Sequence, residues 1–235
     1  MGGALSLRAR LADAARFVAR PTFVAEPMPW GRETLARLLS VAIVHAAVGT
    51  CLLLPLWVGG RSTGVLPAPD LHPGTLAASP LAFLVIAPLL EELLFRGWLT
   101  GKAAALRFAA WGFAGMALML AGLTFAPDHA HALSLAGVAA IFAGLIQWGL
   151  TRRRAAAVPP PFVQHFGAIV WASALLFGLV HLGNYAAPAS ALGVLVVLPQ
   201  VIGGVLLAYV RTRLGLAAAI GYHASYNALV LVAAG

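Results

Sequence analysis

The chain has 235 residues, 61% of them apolar and only 9% charged, with a net charge of +8. A soluble domain of this length carries far more charge, so the composition excludes an ordinary water-soluble enzyme and points to the membrane. The positive balance does not mark a nucleic-acid binder, because the basic residues recur at alternate loops instead of forming one patch.

Residues 1–34 form a basic N-terminal segment. Leu7, Leu11, Ala14, Ala15 and Val18 recur at helical spacing opposite several arginines, which fits a helix lying on the cytoplasmic surface; a frayed basic tail is the alternative. No long apolar core followed by a small-residue cleavage site occurs in the first thirty residues, so the first span itself is expected to direct insertion.

Seven apolar stretches of about twenty residues follow, the length a hydrocarbon core demands of a helix. They lie at about 35–58, 76–99, 105–125, 132–150, 163–183, 190–210 and 215–234. The runs are continuously apolar instead of alternating, so a β-barrel is excluded. The expected fold is all-α, a polytopic transmembrane helical bundle. Arg8 to Arg37 precede the first span, Lys102 and Arg107 follow the second, Arg152 to Arg154 follow the fourth, and Arg211 and Arg213 follow the sixth. By the positive-inside rule the N-terminus is cytoplasmic and the C-terminus lies outside. The expected setting is a multi-pass protein of a bacterial inner (plasma) membrane, with lipid as its first partner. Cys51, the single cysteine, allows no internal disulfide. Pro159 to Pro161 form a short linker before the fifth span.

The second span carries Glu91, Glu92 and Arg96 inside an otherwise uncharged run. A charge at the centre of a membrane helix costs roughly 2.5–3.5 kcal/mol on insertion scales, so these groups need partners and mark a functional site. Glu92 and Arg96 stand four apart in the favourable order for an ion pair, whereas Glu91 is turned about 100° away and is available to another neighbour. Two more polar pairs share that four-residue spacing: Phe177 with His181, and His223 with Asn227. His45 and His165 read as packing residues, and His129 and His131 as solvated.

A glutamate, two histidines and an asparagine gathered inside a bundle could activate water and stabilise an oxyanion, as peptide hydrolysis requires. Ser173 and Ser225 lack an aspartate partner for a triad, and the zinc pattern His-Glu-x-x-His is absent. These four residues can account for hydrolysis without a cofactor, yet Glu91, His181 and His223 form a ligand set zinc could accept, so spacing alone does not exclude a metalloprotease. Two other function classes fit intramembrane Glu and His residues: a proton-coupled transporter or channel, and a non-catalytic maturation or immunity factor. Convergence of Glu91, His181 and His223 on one small cavity, as opposed to a path across the bilayer, would separate enzyme from relay.

Glu91-Glu92-Leu93-Leu94-Phe95-Arg96-Gly97, then Phe177-x-x-x-His181, then His223-x-x-x-Asn227, resemble in order the three signatures of the CPBP intramembrane proteases, which include the type II CAAX prenyl proteases and bacteriocin-processing enzymes. The resemblance implies an endopeptidase acting on peptide or protein substrates at the membrane. It implies that Glu91 and His181 activate the attacking water, that His223 and Asn227 stabilise the tetrahedral intermediate, and that Glu92, Arg96 and Phe177 orient the site. In the family pattern the first two signatures are separated by one short connection; here residues 97–176 intervene. The protease domain, 35–235, is thus expected to carry an extra two-span insertion at about 103–151.

Overall fold

The computed structural model describes residues 5–70, 79–154 and 157–234. Among them every named element is helical, and the sole β-type pairing is an isolated antiparallel bridge between Pro69 and Tyr185. Five segments are long and apolar enough to cross a membrane: Arg32–Ser62, Ala103–Phe125, Pro127–Thr151, Phe166–Asn184 and Ala191–Leu214. Leu216–Val232 is a shorter apolar helix. Positions 76–78, at the start of the expected second span, lie outside the described residues. The chain divides into two compact units, Met1–Glu92 with His165–Gly235, and Leu93–Gln164.

The first unit starts with α1 (Leu7–Ala19), capped by the Ser6 hydroxyl, which accepts the Ala9 N–H at 3.3 Å. Ala14 and Phe17, three residues apart on one face, are its buried residues. Phe17 meets the ring of Tyr209 edge-on at 5.4 Å. Around this contact Arg10 pairs with Glu33 at 2.9 Å, and Arg37 donates to Asp13 and to the Tyr209 hydroxyl. The segment is therefore a docked helix, not a frayed tail. Each half-exposed ion pair is worth little alone, and it is the buried Phe17 that ties the network to apolar packing.

The first span is built from α2 (Arg32–Val48), a π turn at Gly49–Leu53 and α3 (Leu54–Ser62). The π turn stands directly before Pro55, which has no N–H to return to the carbonyl of residue 51, so the helix widens there instead of breaking. The same device recurs before the double glutamate. A π turn at Ala82–Ile86 leads into α4 (Ala87–Phe95), with Pro88 at its second position. The N–H of Ala87 bonds to the carbonyl of Ala82, five residues back. The carbonyl of Phe83 would in that register accept from residue 88, which is proline and has nothing to donate.

The remaining helices of this unit are α8 (Phe166–Val180), which runs into a 3₁₀ turn at His181–Asn184, then α9 (Leu198–Leu214) and α10 (Leu216–Ala234). α9 is the core element, buried along nearly its whole length from Val201 to Leu214. Gly178 lets α8 approach it: a Cβ there would lie 2.4 Å from the Val201 side chain. Gly215, at φ +101°, makes the reversal into α10 that an L-side chain would resist.

In the second unit α5 (Ala103–Phe125) and α6 (Ala130–Thr151) form an antiparallel pair around a short turn. The unit also holds a 3₁₀ turn at Gly97–Thr100 before the pair and the short α7 (Pro160–Gln164) after it. The pair meets backbone to backbone, since a Cβ on Gly115 would lie 2.4 Å from the Gly137 carbonyl oxygen and one on Gly137 would lie 2.5 Å from that of Gly115. Gly122 and Gly144 continue the same seams seven residues on, the small-residue contact by which helices associate in lipid.

Candidate active site

The site rests on three elements of the first unit. α4 carries the glutamates, the C-terminal end of α8 carries His181, and α10 carries His223 and Asn227. Glu91, Phe177, His181, His223 and Asn227 all line one cavity of about 530 Å³.

His223 is the hub. Its Nδ1 lies 3.0 Å from Glu92 Oε1, and its Nε2 lies 3.7 Å from Glu91 Oε2. Glu92 is fully buried, while the Glu91 side chain keeps 28% of its surface exposed. Sequence spacing assigned the two carboxylates to different partners, with Glu92 held by Arg96. In the structure both reach the same imidazole, one at each nitrogen, because adjacent residues of α4 straddle the ring. Arg96 is buried and directly follows the end of α4 at Phe95. The Glu92 bond orients the His223 ring so that Nε2 is the nitrogen beside the exposed carboxylate.

His181 begins the 3₁₀ turn, and its Nδ1 lies 2.7 Å from the Phe177 carbonyl one turn back. A carbonyl only accepts, so Nδ1 carries the hydrogen in this bond and Nε2 is the lone-pair nitrogen of the neutral ring. Phe177 is buried and meets both histidines edge-on, with ring centroids 4.6 Å from His181 and 6.1 Å from His223. The Phe-x-x-x-His spacing thus fixes a tautomer through the backbone and spaces two imidazoles through one ring.

Asn227 is buried, and its Nδ2 donates to the Phe83 carbonyl at 2.9 Å. This is the carbonyl that the π turn and Pro88 leave without a helical partner. The amide is thereby anchored by one N–H, and the second N–H remains to be used in the cavity. Sequence reasoning passed over Pro88, although a proline three residues before a charged pair in an apolar helix was the available signal. It also passed over Tyr222, Tyr226 and Gln200, which share the cavity, and treated His45, another lining residue, as packing.

Among the described residues no three His, Cys, Asp or Glu side chains form a group that could hold a metal ion.

A family model described as Type II CAAX prenyl endopeptidase Rce1-like matches residues 73–168 and 158–229. The first range contains the double glutamate and the second contains both histidine pairs. The chain belongs to this family. The family is one of membrane proteases of the CAAX endopeptidase type, which act on membrane-associated protein substrates. Comparison with curated proteins and with solved structures finds no match.

Proposed function

We propose that the chain is an intramembrane endopeptidase that hydrolyses its substrates with water activated by Glu91 and His181, without a metal. The observation that carries this reading is the convergence of Glu91, His181, His223 and Asn227 on one cavity. Convergence supports hydrolysis over a relay, whose titratable groups would be strung across the bilayer.

The proposed steps use each group as its environment prepares it. The Glu91 carboxylate takes a proton from water while His181 Nε2 accepts that water's other hydrogen, aligning the oxygen with the scissile carbonyl. The developing oxyanion is met by the second amide N–H of Asn227 and by the Nε2–H of His223 in its imidazolium form, whose Nδ1–H stays on the Glu92 carboxylate. Glu91 then returns its proton to the leaving amine as the carbon–nitrogen bond breaks. Glu92 and Phe177 hold His223, and Arg96 is assigned to the site's support.

The chain is further proposed to cross the membrane seven times with the basic N-terminal segment in the cytoplasm of a bacterial cell, its plasma membrane being the site of action. Helices α5 and α6 are proposed as the two-span insertion; added in an even number, they preserve the orientation of the spans on either side. Substrates are proposed to be membrane-associated or lipidated proteins. The test compares peptide ends in membrane fractions from cells carrying the wild-type or the Glu91→Gln protein. Uncleaved precursors should accumulate with the variant, and identical profiles from purified membranes incubated with either protein would refute the reading.

A further inference from the structure

Two polar atoms in the same cavity have no role in the proposed hydrolysis. His45, on α2, is 95% buried: its relative exposure is only 5%. Its ring is stacked on Tyr226, with centroids 4.3 Å apart and planes within 4°. Nδ1 lies 3.0 Å from the Tyr222 hydroxyl, while Nε2 is buried with no hydrogen-bond partner. If Nδ1 donated to Tyr222, both the tyrosine hydrogen and a bare Nε2 would lack partners. With the Tyr222 hydroxyl donating to Nδ1, only one group is left over, an Nε2–H. That tautomer makes His45 a fixed hydrogen-bond donor. Gly203, another cavity residue, stands close to this edge of the ring: a Cβ there would come into ordinary contact, 3.6 Å from Cε1 and 3.8 Å from Nε2.

Gln200, near the start of α9, complements it. Its Nε2 donates to the Tyr185 hydroxyl at 3.3 Å, which turns the amide so that Oε1 is buried and unbonded. A cavity wall therefore holds one unused donor and one unused acceptor. Buried polar atoms without partners are rare and costly, and an occupant that pairs both removes the cost. The peptide unit is the group that brings one C=O and one N–H at fixed spacing.

We propose that His45 Nε2–H and Gln200 Oε1 form a main-chain recognition pair, binding a carbonyl and an amide N–H of the substrate peptide beside the catalytic groups. The pair deepens the endopeptidase reading and rests on it. Because it grips backbone atoms, it positions the scissile bond without selecting side chains.

The test measures binding separately from cleavage. The full-length Glu91→Gln protein in phosphatidylglycerol–phosphatidylethanolamine nanodiscs is titrated with a fluorescent peptide bearing an S-prenylated cysteine followed by three residues. The same peptide is then used with each backbone amide N-methylated in turn. One N-methylation should weaken binding about tenfold. Gln200→Leu should weaken binding of the parent peptide by a similar factor and abolish the further loss at that amide. His45→Leu should also cost about tenfold, with partial recovery in His45→Gln, which restores a donor. Unchanged affinity in the Gln200 and His45 variants, equal N-methylation losses in parent and variant, or no peptide binding by the parent would each overturn the pair. Cleavage of the same peptide by the wild-type protein reports on the protease reading: cleavage with insensitive variants refutes the pair alone, and pair-dependent binding without cleavage refutes the hydrolysis alone.

Discussion

The Asn227 anchor is the feature whose energetics can be worked furthest. Asn227→Ala removes the donor to the Phe83 carbonyl, and that carbonyl has no helical alternative because residue 88 is proline. A buried acceptor left unpaired costs about 1–3 kcal/mol, which for a chain of this size corresponds to a Tm lower by about 4–8 °C at the middle of that range. Loss of an oxyanion donor should independently lower kcat by roughly a hundredfold or more, with little change in KM. Pro88→Ala supplies the missing N–H. The new backbone bond contributes about 1 kcal/mol, largely offset by about 0.4–1 kcal/mol from the freer unfolded chain, so Tm should stay close to wild type. Its N–H now competes for Phe83, the Asn227 amide loses its fixed direction, and kcat should fall by one to two orders of magnitude. In the double variant the alanine N–H satisfies the stranded carbonyl, so Tm should recover while kcat does not. Thermal unfolding in detergent and single-turnover cleavage assays read the two arms. Additive losses of Tm in the double variant, or a Pro88→Ala enzyme with full turnover, would show that Phe83 and Asn227 do not depend on each other as described.

Glu91→Gln keeps the size of the side chain and removes its basicity; cleavage by the purified, monodisperse variant should be lost, and substantial residual turnover would remove Glu91 from the role of base. Glu92→Gln weakens the buried acceptor of His223 Nδ1, so the main expected effect is a stability loss of about 3 kcal/mol and poor yield; a stable protein with activity lost to the same degree as in Glu91→Gln would contradict the different tasks given to the two carboxylates. Activity should survive exhaustive treatment with a strong divalent-ion chelator, and purified protein should contain no stoichiometric zinc; chelator-sensitive turnover restored by zinc would replace the glutamate mechanism with a metal-dependent one.

The residues that were legible in the sequence are those whose signal is energetic and local. Charge in an apolar run is expensive enough that Glu91, Glu92 and Arg96 announce a site by themselves, and two polar pairs at four-residue spacing mark faces of helices whatever the tertiary fold. The helical class followed from run length alone. The partners of those charges were not legible, because spacing along one helix says which residues share a face but not which neighbour arrives opposite that face. The ring of His223, remote in sequence, sits between both glutamates.

The breaks in helix regularity escaped for a related reason. Pro55 and Pro88 both lie inside apolar runs, where a proline reads as a tolerated kink. The consequence depends on which carbonyl is released and on what stands near it. At Pro88 the released carbonyl of Phe83 is met by Asn227 of α10, so the defect in one helix becomes the hydrogen-bond acceptor that orients an active-site amide on another. His45 illustrates the opposite limit. A histidine in an apolar helix with one satisfied nitrogen is packing by every local criterion, and its hydrogen bond to Tyr222 agrees with that reading. Only its second nitrogen, buried without a hydrogen-bond partner in a residue that lines the cavity of Glu91 and His223, separates a packing residue from one with a hydrogen bond still to give.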